Sequence, residues 1–375
     1  MSVRLWPGNI LSSRRAMSNV LIILVKVVLA LAWLLTLTLL MTWVERKESA
    51  VIQDRIGANR ASILGLRVFG LFQPIADAVK MMFKEDFEPS FTRRFLHALA
   101  PFLSFFCVAV TIAAIPFGPA VRLGSRVVSL QVADLEAGLP FVLAMLSLGI
   151  YGIVLSGWAS NNRFALLGSM RGAAQLISYE VALGLSLVGL VIVYPSLRMS
   201  RIVEFQSGLL FGFLPRWGIL LQPLGFIVFF VAALAETKRI PFDLPEGESE
   251  IIGFYTEYSG LKWGLFMLTD FLEVIIVACL AVTLFFGGWQ VPWLGPTGFR
   301  FPWGGELPLR GWIVSALGVL AFNVKVGFFC GFQVLIRWTY PRFRYDQLMD
   351  LGWKVLVPFG FLNLLGTGLL VSLRK

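Results

Sequence analysis

Between Phe229 and Gly260 the sequence FFVAALAETKRIPFDLPEGESEIIGFYTEYSG leaves an apolar stretch and enters a run of acids, Glu236, Asp243, Glu246, Glu248, Glu250 and Glu257, with Asp270 following. Only 14% of the residues are charged and 57% are hydrophobic. Carboxylates gathered beside an apolar run therefore need water, protons or a polar ligand as company. Carboxyls that share a poorly solvated site are pushed toward titration near neutral pH, and several of them joined by water make a proton relay. A blander reading stays open, in which each acid is a hydrogen-bond partner between helices or part of a docking surface.

Such acids need helices that cross a membrane to hold them. The mean hydropathy of +0.79, with 12 Trp and 33 Phe in 375 residues, lies outside the range of soluble domains. Apolar runs long enough to cross about 30 Å of hydrocarbon fall at roughly 20–44, 95–115, 139–159, 174–194, 218–236, 267–289, 312–337 and 353–373. The predicted fold is an all-α integral membrane protein of about eight transmembrane helices, a single polytopic membrane domain over residues 1–375. Arg14 and Arg15 precede an apolar run from Val20 to Val44 that is too long for a signal peptide, so the first span is expected to stay. Loops after the odd-numbered spans carry 18 Lys and Arg, the other loops and the termini 12. The positive-inside rule then predicts both termini periplasmic and the acidic loop, about 237–266, cytoplasmic. The net charge of +10 reads as membrane topology and contact with anionic lipid; nucleic acid is not expected as a partner.

Several chemistries lack their residues. Cys107, Cys279 and Cys330 each stand alone in an apolar span, and His97 is the only histidine. No cluster-ligating spacing, metal motif or nucleotide-binding glycine loop occurs. The chain itself is expected to bind no FMN, iron–sulfur cluster or metal, so a redox role would take its electrons from a partner.

The first cytoplasmic loop is the longest. Within it Gln73, Asp77, Lys80 and Lys84 share one helical face while Phe72, Ile75, Val79, Met82 and Phe83 cover the rest. With Pro74 in its first turn, the segment predicts an amphipathic helix over about 72–84, lying in the interface. Glu45, Arg46 and Lys47 read as an anchor closing the first span, and Gly57 to Arg60 as a turn. Glu180, Asp270, Glu273 and Lys325 fall inside spans, at about 2.5–3.5 kcal/mol each if lipid-exposed. They must face the bundle, water or each other, and Lys325 is expected to find an acidic partner within the bundle.

Five strings, ERKESAVIQDRIGANR, GLFQPIADAVKMMFKED, SGWASNNRFALLGSMRGAAQLISYE, AETKRIPFDLPEGESE and YPRFRYDQLMDLGWK, run in order from Glu45 to Lys354. Together they resemble the quinone-site membrane subunit of respiratory complex I. Ala58 stands where the family usually has Pro, and Glu136 where it usually has Asn. The resemblance implies a heel subunit of NADH:quinone oxidoreductase in the bacterial inner membrane. Its partners would be the quinone-module subunits of a peripheral arm, antiporter-like membrane subunits and membrane lipid. Its substrate would be a quinone, ubiquinone or menaquinone. By position, Arg46, Arg55, Asp77 and Lys80 would line or stabilise a quinone portal between the first span, the interfacial helix and the sixth span. Arg239 and Phe242 would border the quinone cavity. Glu180, Glu236, Asp243, Glu246, Glu248, Glu250 and Asp270 would carry protons from that cavity toward the pump. An energy-converting hydrogenase subunit would share the acids without needing the portal, and the intact first-loop and DLPEGESE motifs speak against it. A secondary transporter would also explain intramembrane charge, but no internal repeat is recognisable.

Overall fold

The computed structural model describes residues 8–123, 126–245, 247, 253–295, 297–302 and 304–373. Seven helices among them are long and apolar enough to span a membrane. In chain order the elements begin with α1 (Gly8–Ile52), α2 (Gln73–Phe83), α3 (Arg94–Thr111, closed by one 3-10 turn), α4 (Gly138–Ala159) and α5 (Arg163–Val193). There follow α6 (Met199–Phe205), α7 (Gly218–Leu221), α8 (Pro223–Glu236), α9 (Gly260–Phe285) and α10 (Gly311–Thr339). The last are α11 (Tyr345–Asp350) and α12 (Val357–Leu373), joined without interruption by a π-helical turn at Leu351–Leu356.

The expected fifth span is broken. Pro223 has no amide hydrogen to continue a helix and disfavours helical geometry at the residue before it. Gln222 accordingly leaves the helical region, α7 stops at Leu221, and α8 is a separate apolar helix of 14 residues. Two other spans begin well before their expected starts. The Asn162 side chain accepts from the Phe164 amide at 3.0 Å and so caps α5 at Arg163, while α9 starts at Gly260.

Helix α9 is the centre of the bundle. Every residue from Phe271 to Phe285 is buried, among α3, α10, α1, α2 and α8. Around it α3 packs on α4, α4 on α5, and α5 on both α8 and α12. Close approach depends on small residues, as membrane helix packing generally does: a Cβ on Gly152 of α4 would lie 2.8 Å from the Ala100 carbonyl of α3. Helix α1 contrasts with this, exposing Leu21, Leu24, Val28 and Leu29 along one flank.

The loops gather at two ends. At one, short antiparallel ribbons form where the sequence suggested plain connectors: β1 (Val121–Leu123) with β2 (Arg126–Val128), β3 (Leu209–Leu210) with β4 (Leu214–Pro215), and β5 (Leu294–Gly295), β6 (Gly298–Arg300) and β7 (Glu306–Pro308). Gln206 knits this end, donating to the Thr283 carbonyl at 2.9 Å and accepting from the Gly218 and Gly287 amides at 3.0 Å. At the other end lie α2, the turn between α4 and α5, and the stretches 237–245 and 253–259. Lys262 there pairs with Asp86 at 3.0 Å, and the Phe87 amide donates to Ser259 Oγ at 2.6 Å.

Candidate functional site

Helix α8 ends on Glu236, and the chain turns at once through Lys238, whose φ of +53° is left-handed. The turn drives two consecutive cations in different directions. Lys238, 2% exposed, reaches 2.7 Å from Glu273 and 3.3 Å from Asp270, both on α9. Arg239 reaches 3.2 Å from Glu45 at the end of α1, with its guanidinium 4.1 Å above the Phe271 ring. Glu45 is buried and also accepts from Arg337 near the end of α10. The next acid, Asp243, pairs with Arg342 at 2.7 Å. Gln175 of α5 holds the loop down, donating to the Ala235 and Phe242 carbonyls at 2.8 Å each.

A chamber of about 230 Å³ lies between these groups. Glu45, Arg239, Asp270 and Arg337 form its polar side, and Tyr255, Trp263, Phe266, Met267 and Phe271 its apolar side. Such a pairing of flat apolar walls with a few converging polar groups is what a small aromatic ligand with polar ends needs.

Acids continue from the chamber into the bundle. Glu273 lies within electrostatic range of Asp270, and Glu236 within range of both Glu273 and Glu180. Glu180 of α5 in turn accepts from Ser147 of α4. Glu236 Oε2 and Glu273 Oε2 are buried without a partner among the described residues, and buried carboxyl oxygens are completed by water or by a proton. Toward the loop, Asp243 sits within range of Asp270. Burial pushes the Asp243 carboxyl up to about 6 although Arg342 and Arg337 pull it down. Desolvation is the largest cause, and one oxygen, Oδ1, is buried with no hydrogen-bond partner among the described residues.

The residues expected at the site divide. Arg239 and Asp270 line the chamber, and Glu236, Glu180 and Asp243 stand in the acid series beside it. Arg46 pairs with Asp77 and so clasps α1 to α2; Lys80 is exposed on α2. Arg55 folds onto its own turn, 2.7 Å from Gln53 and 3.3 Å from Ser49. Phe242 is buried between Tyr179 and Phe343, away from the chamber lining. Glu246, Glu248 and Glu250 lie outside the described residues.

Lys325 corrects an expectation. Among the described residues it takes no acid but the carbonyls of Phe286, Gly288 and Gln290, at 2.7, 3.1 and 2.6 Å, under the Trp217 ring. The chain bends back beyond α9 through Gly287 and Gly288, both at positive φ, which turns those carbonyls onto one point. Lys238, Arg337 and Arg342 were missed as site residues. Lys238 was legible beside Glu236 in AETKRIPFD and Arg342 within YPRFRYDQLMDLGWK; Arg337 carried no signal beyond its nearness to a helix end.

This architecture defines a polytopic, predominantly helical membrane protein with a charged chamber at one end and a series of buried and half-buried acids leading inward. The sequence profile of the NADH dehydrogenase family matches residues 25–368, and the chain belongs to that family. It is 45% identical to one of the NADH-quinone oxidoreductase H subunits of Geobacter metallireducens, over 95% of this chain and 98% of that one. With an H subunit of the same enzyme from Geobacter sulfurreducens it shares 46% identity over 92% of this chain and 94% of that one. With the corresponding H subunit of Flavobacterium psychrophilum it shares 39% over 96% and 100%.

Proposed function

We propose that the chain is the quinone-site membrane subunit of a proton-translocating NADH-quinone oxidoreductase of the bacterial inner membrane. The observation that carries this reading is the continuity between the chamber and the acids: Asp270 lines the chamber and shares Lys238 with Glu273, which lies within range of Glu236. Reducing a quinone to quinol takes two electrons and two protons. Partner subunits supply the electrons, and the quinone, ubiquinone or menaquinone, enters from the bilayer between α1, α2 and α9.

Within this reading Arg239 or Arg337 donates a hydrogen bond to a quinone oxygen, and the Trp263 and Phe266 rings flank the head group. Protons withdrawn at the chamber are replaced along Asp270, Glu273, Glu236 and Glu180. That movement links reduction to the antiporter-like neighbours. Arg46, Arg55, Asp77 and Lys80 shape the portal by holding α1, α2 and the first loop together. Phe242 supports the loop from the core, and Asp243 and the acids at 246, 248 and 250 belong to the same proton route. The basic loops lie in the cytoplasm and both termini in the periplasm.

Glu236→Gln tests the reading, because Gln keeps the size of the side chain and removes the titration. At matched complex content, quinone reduction and proton uptake in inverted vesicles fall on the order of a hundredfold, while NADH oxidation by a soluble artificial acceptor is unchanged. Glu236→Asp retains part of the coupled rate. A silent Gln variant beside a dead Asp variant would overturn the relay and leave Glu236 a packing residue.

A further inference from the structure

A second cavity, unconnected with the charged chamber, opens between the outer half of α1 and α10. It has a volume of about 230 Å³ and is walled by Leu29, Trp33, Phe117, Leu130 and Val319. Its polar wall groups are already used within the fold: Trp33 Nε1 donates to Asn323 Oδ1 at 2.7 Å and Gln131 Nε2 to the Ala114 carbonyl at 2.7 Å. What the cavity offers an occupant is hydrocarbon.

One charge stands on its wall. The Lys26 ammonium donates to Ser129 Oγ at 3.2 Å and to the Gln131 carbonyl at 3.0 Å, and no carboxylate among the described residues pairs with it. Along α1, Lys26 is about 28 Å from Glu45 at 1.5 Å per residue. That separation is close to the roughly 30 Å thickness of the hydrocarbon layer. With Glu45 at one interface, Lys26 stands near the other, at headgroup depth, although it falls inside the apolar run.

We propose that this cavity is a lipid site, taking an acyl chain of an anionic phospholipid whose phosphate rests on Lys26. A lysine near headgroup depth without a paired carboxylate complements a phosphate. A flexible acyl chain suits a slot walled by bulky aliphatic and aromatic groups. A neighbouring transmembrane helix is the poorer fit, because helices pair in membranes across small residues that let backbones approach, and Leu29, Trp33, Phe117 and Val319 hold a backbone away.

The test uses the intact complex, purified in mild detergent and washed, with retained phospholipids counted per complex by mass spectrometry. The wild type and Lys26→Arg keep a phosphatidylglycerol or cardiolipin molecule, and Lys26→Met retains about fivefold less, the factor expected from one basic group near an anionic lipid. Leu29→Trp, which fills the slot and leaves the charge in place, produces a comparable loss. Equal retention in all variants, or loss in Lys26→Arg as deep as in Lys26→Met, would overturn the site. So would retention by Leu29→Trp, or a density map of the complex with another subunit's side chains in the cavity. Quinone reductase activity is measured alongside, so a failed lipid site is distinguishable from a failed quinone site.

Discussion

Two lysines, one at each end of the bundle, solve the same problem with different chemistry. Lys238 is sheathed by the carboxylates of Asp270 and Glu273; Lys325 is sheathed by three backbone carbonyls and an indole ring. Both satisfy a cation that lipid would not solvate. Carboxylates can exchange protons with their surroundings, and carbonyls cannot. Lys238 therefore belongs to a network whose charge can be redistributed, whereas Lys325 is a staple that pins the end of α9. Burial of charge is common to both regions, and the identity of the partner separates a candidate relay from a structural clasp.

The sharpest way to break the contrast is Lys238→Met, which leaves Asp270 and Glu273 buried without their cation. Removing one partner of such a buried pair costs about 3–5 kcal/mol, so the complex should largely disappear from native gels. Replacing Lys238 and Glu273 together with Met should recover much of the abundance and none of the proton translocation. A double variant that pumps normally would reduce the cluster to packing.

Asp243 supplies a pH signature. Its carboxyl titrates at about 6 in the fold against an ordinary value of 3.8, so the folded state binds the proton more tightly than the unfolded one. Its contribution to stability is complete below about pH 4 and is lost as the pH rises through about 6, a change on the order of 3 kcal/mol. Thermal unfolding of the complex followed from pH 4 to 7 should show that slope in the wild type, and Asp243→Asn should flatten it.

For Lys325→Met the loss is confined to charge-assisted hydrogen bonds and to carbonyls left unpaired, about 1–3 kcal/mol. Melting temperature should drop, and proton translocation per quinone reduced should be unchanged at matched complex content. A lowered ratio would place Lys325 in the coupling machinery and erase the distinction between the two lysines.

The smallest effect is expected at the first-loop turn. Gly57 there has a φ of +76°, Asn59 accepts from Lys47, and the Ala58 amide donates no backbone hydrogen bond among those described. Ala58→Pro therefore forfeits no described backbone hydrogen bond and restricts the unfolded chain, and it should add about 0.4–1 kcal/mol. A fall in complex abundance would mean that the loop needs the freedom that proline removes.

Much of the architecture was legible because its causes are local. Apolar length marked the spans and the alternation of faces around Asp77 marked α2 at Gln73–Phe83, whereas the fifth span was expected unbroken across Pro223, before which the helix stops. The short ribbons were not legible, since strands of two or three residues carry too little pattern to stand out from a loop.

Sequence alone determined that this chain lives in a membrane, that its acids collect after the fifth apolar run, and that five of its motifs resemble one family of membrane subunits. Only the tertiary structure decided which charge answers which. Glu45 takes Arg239 from 194 residues away and Arg337 from 292. Lys238 takes Glu273 from 35 residues away, and Lys325 takes backbone carbonyls rather than an acid. An ion pair is chosen by distance, geometry and the water removed from both partners, and spacing along the chain encodes none of these until the helices have packed.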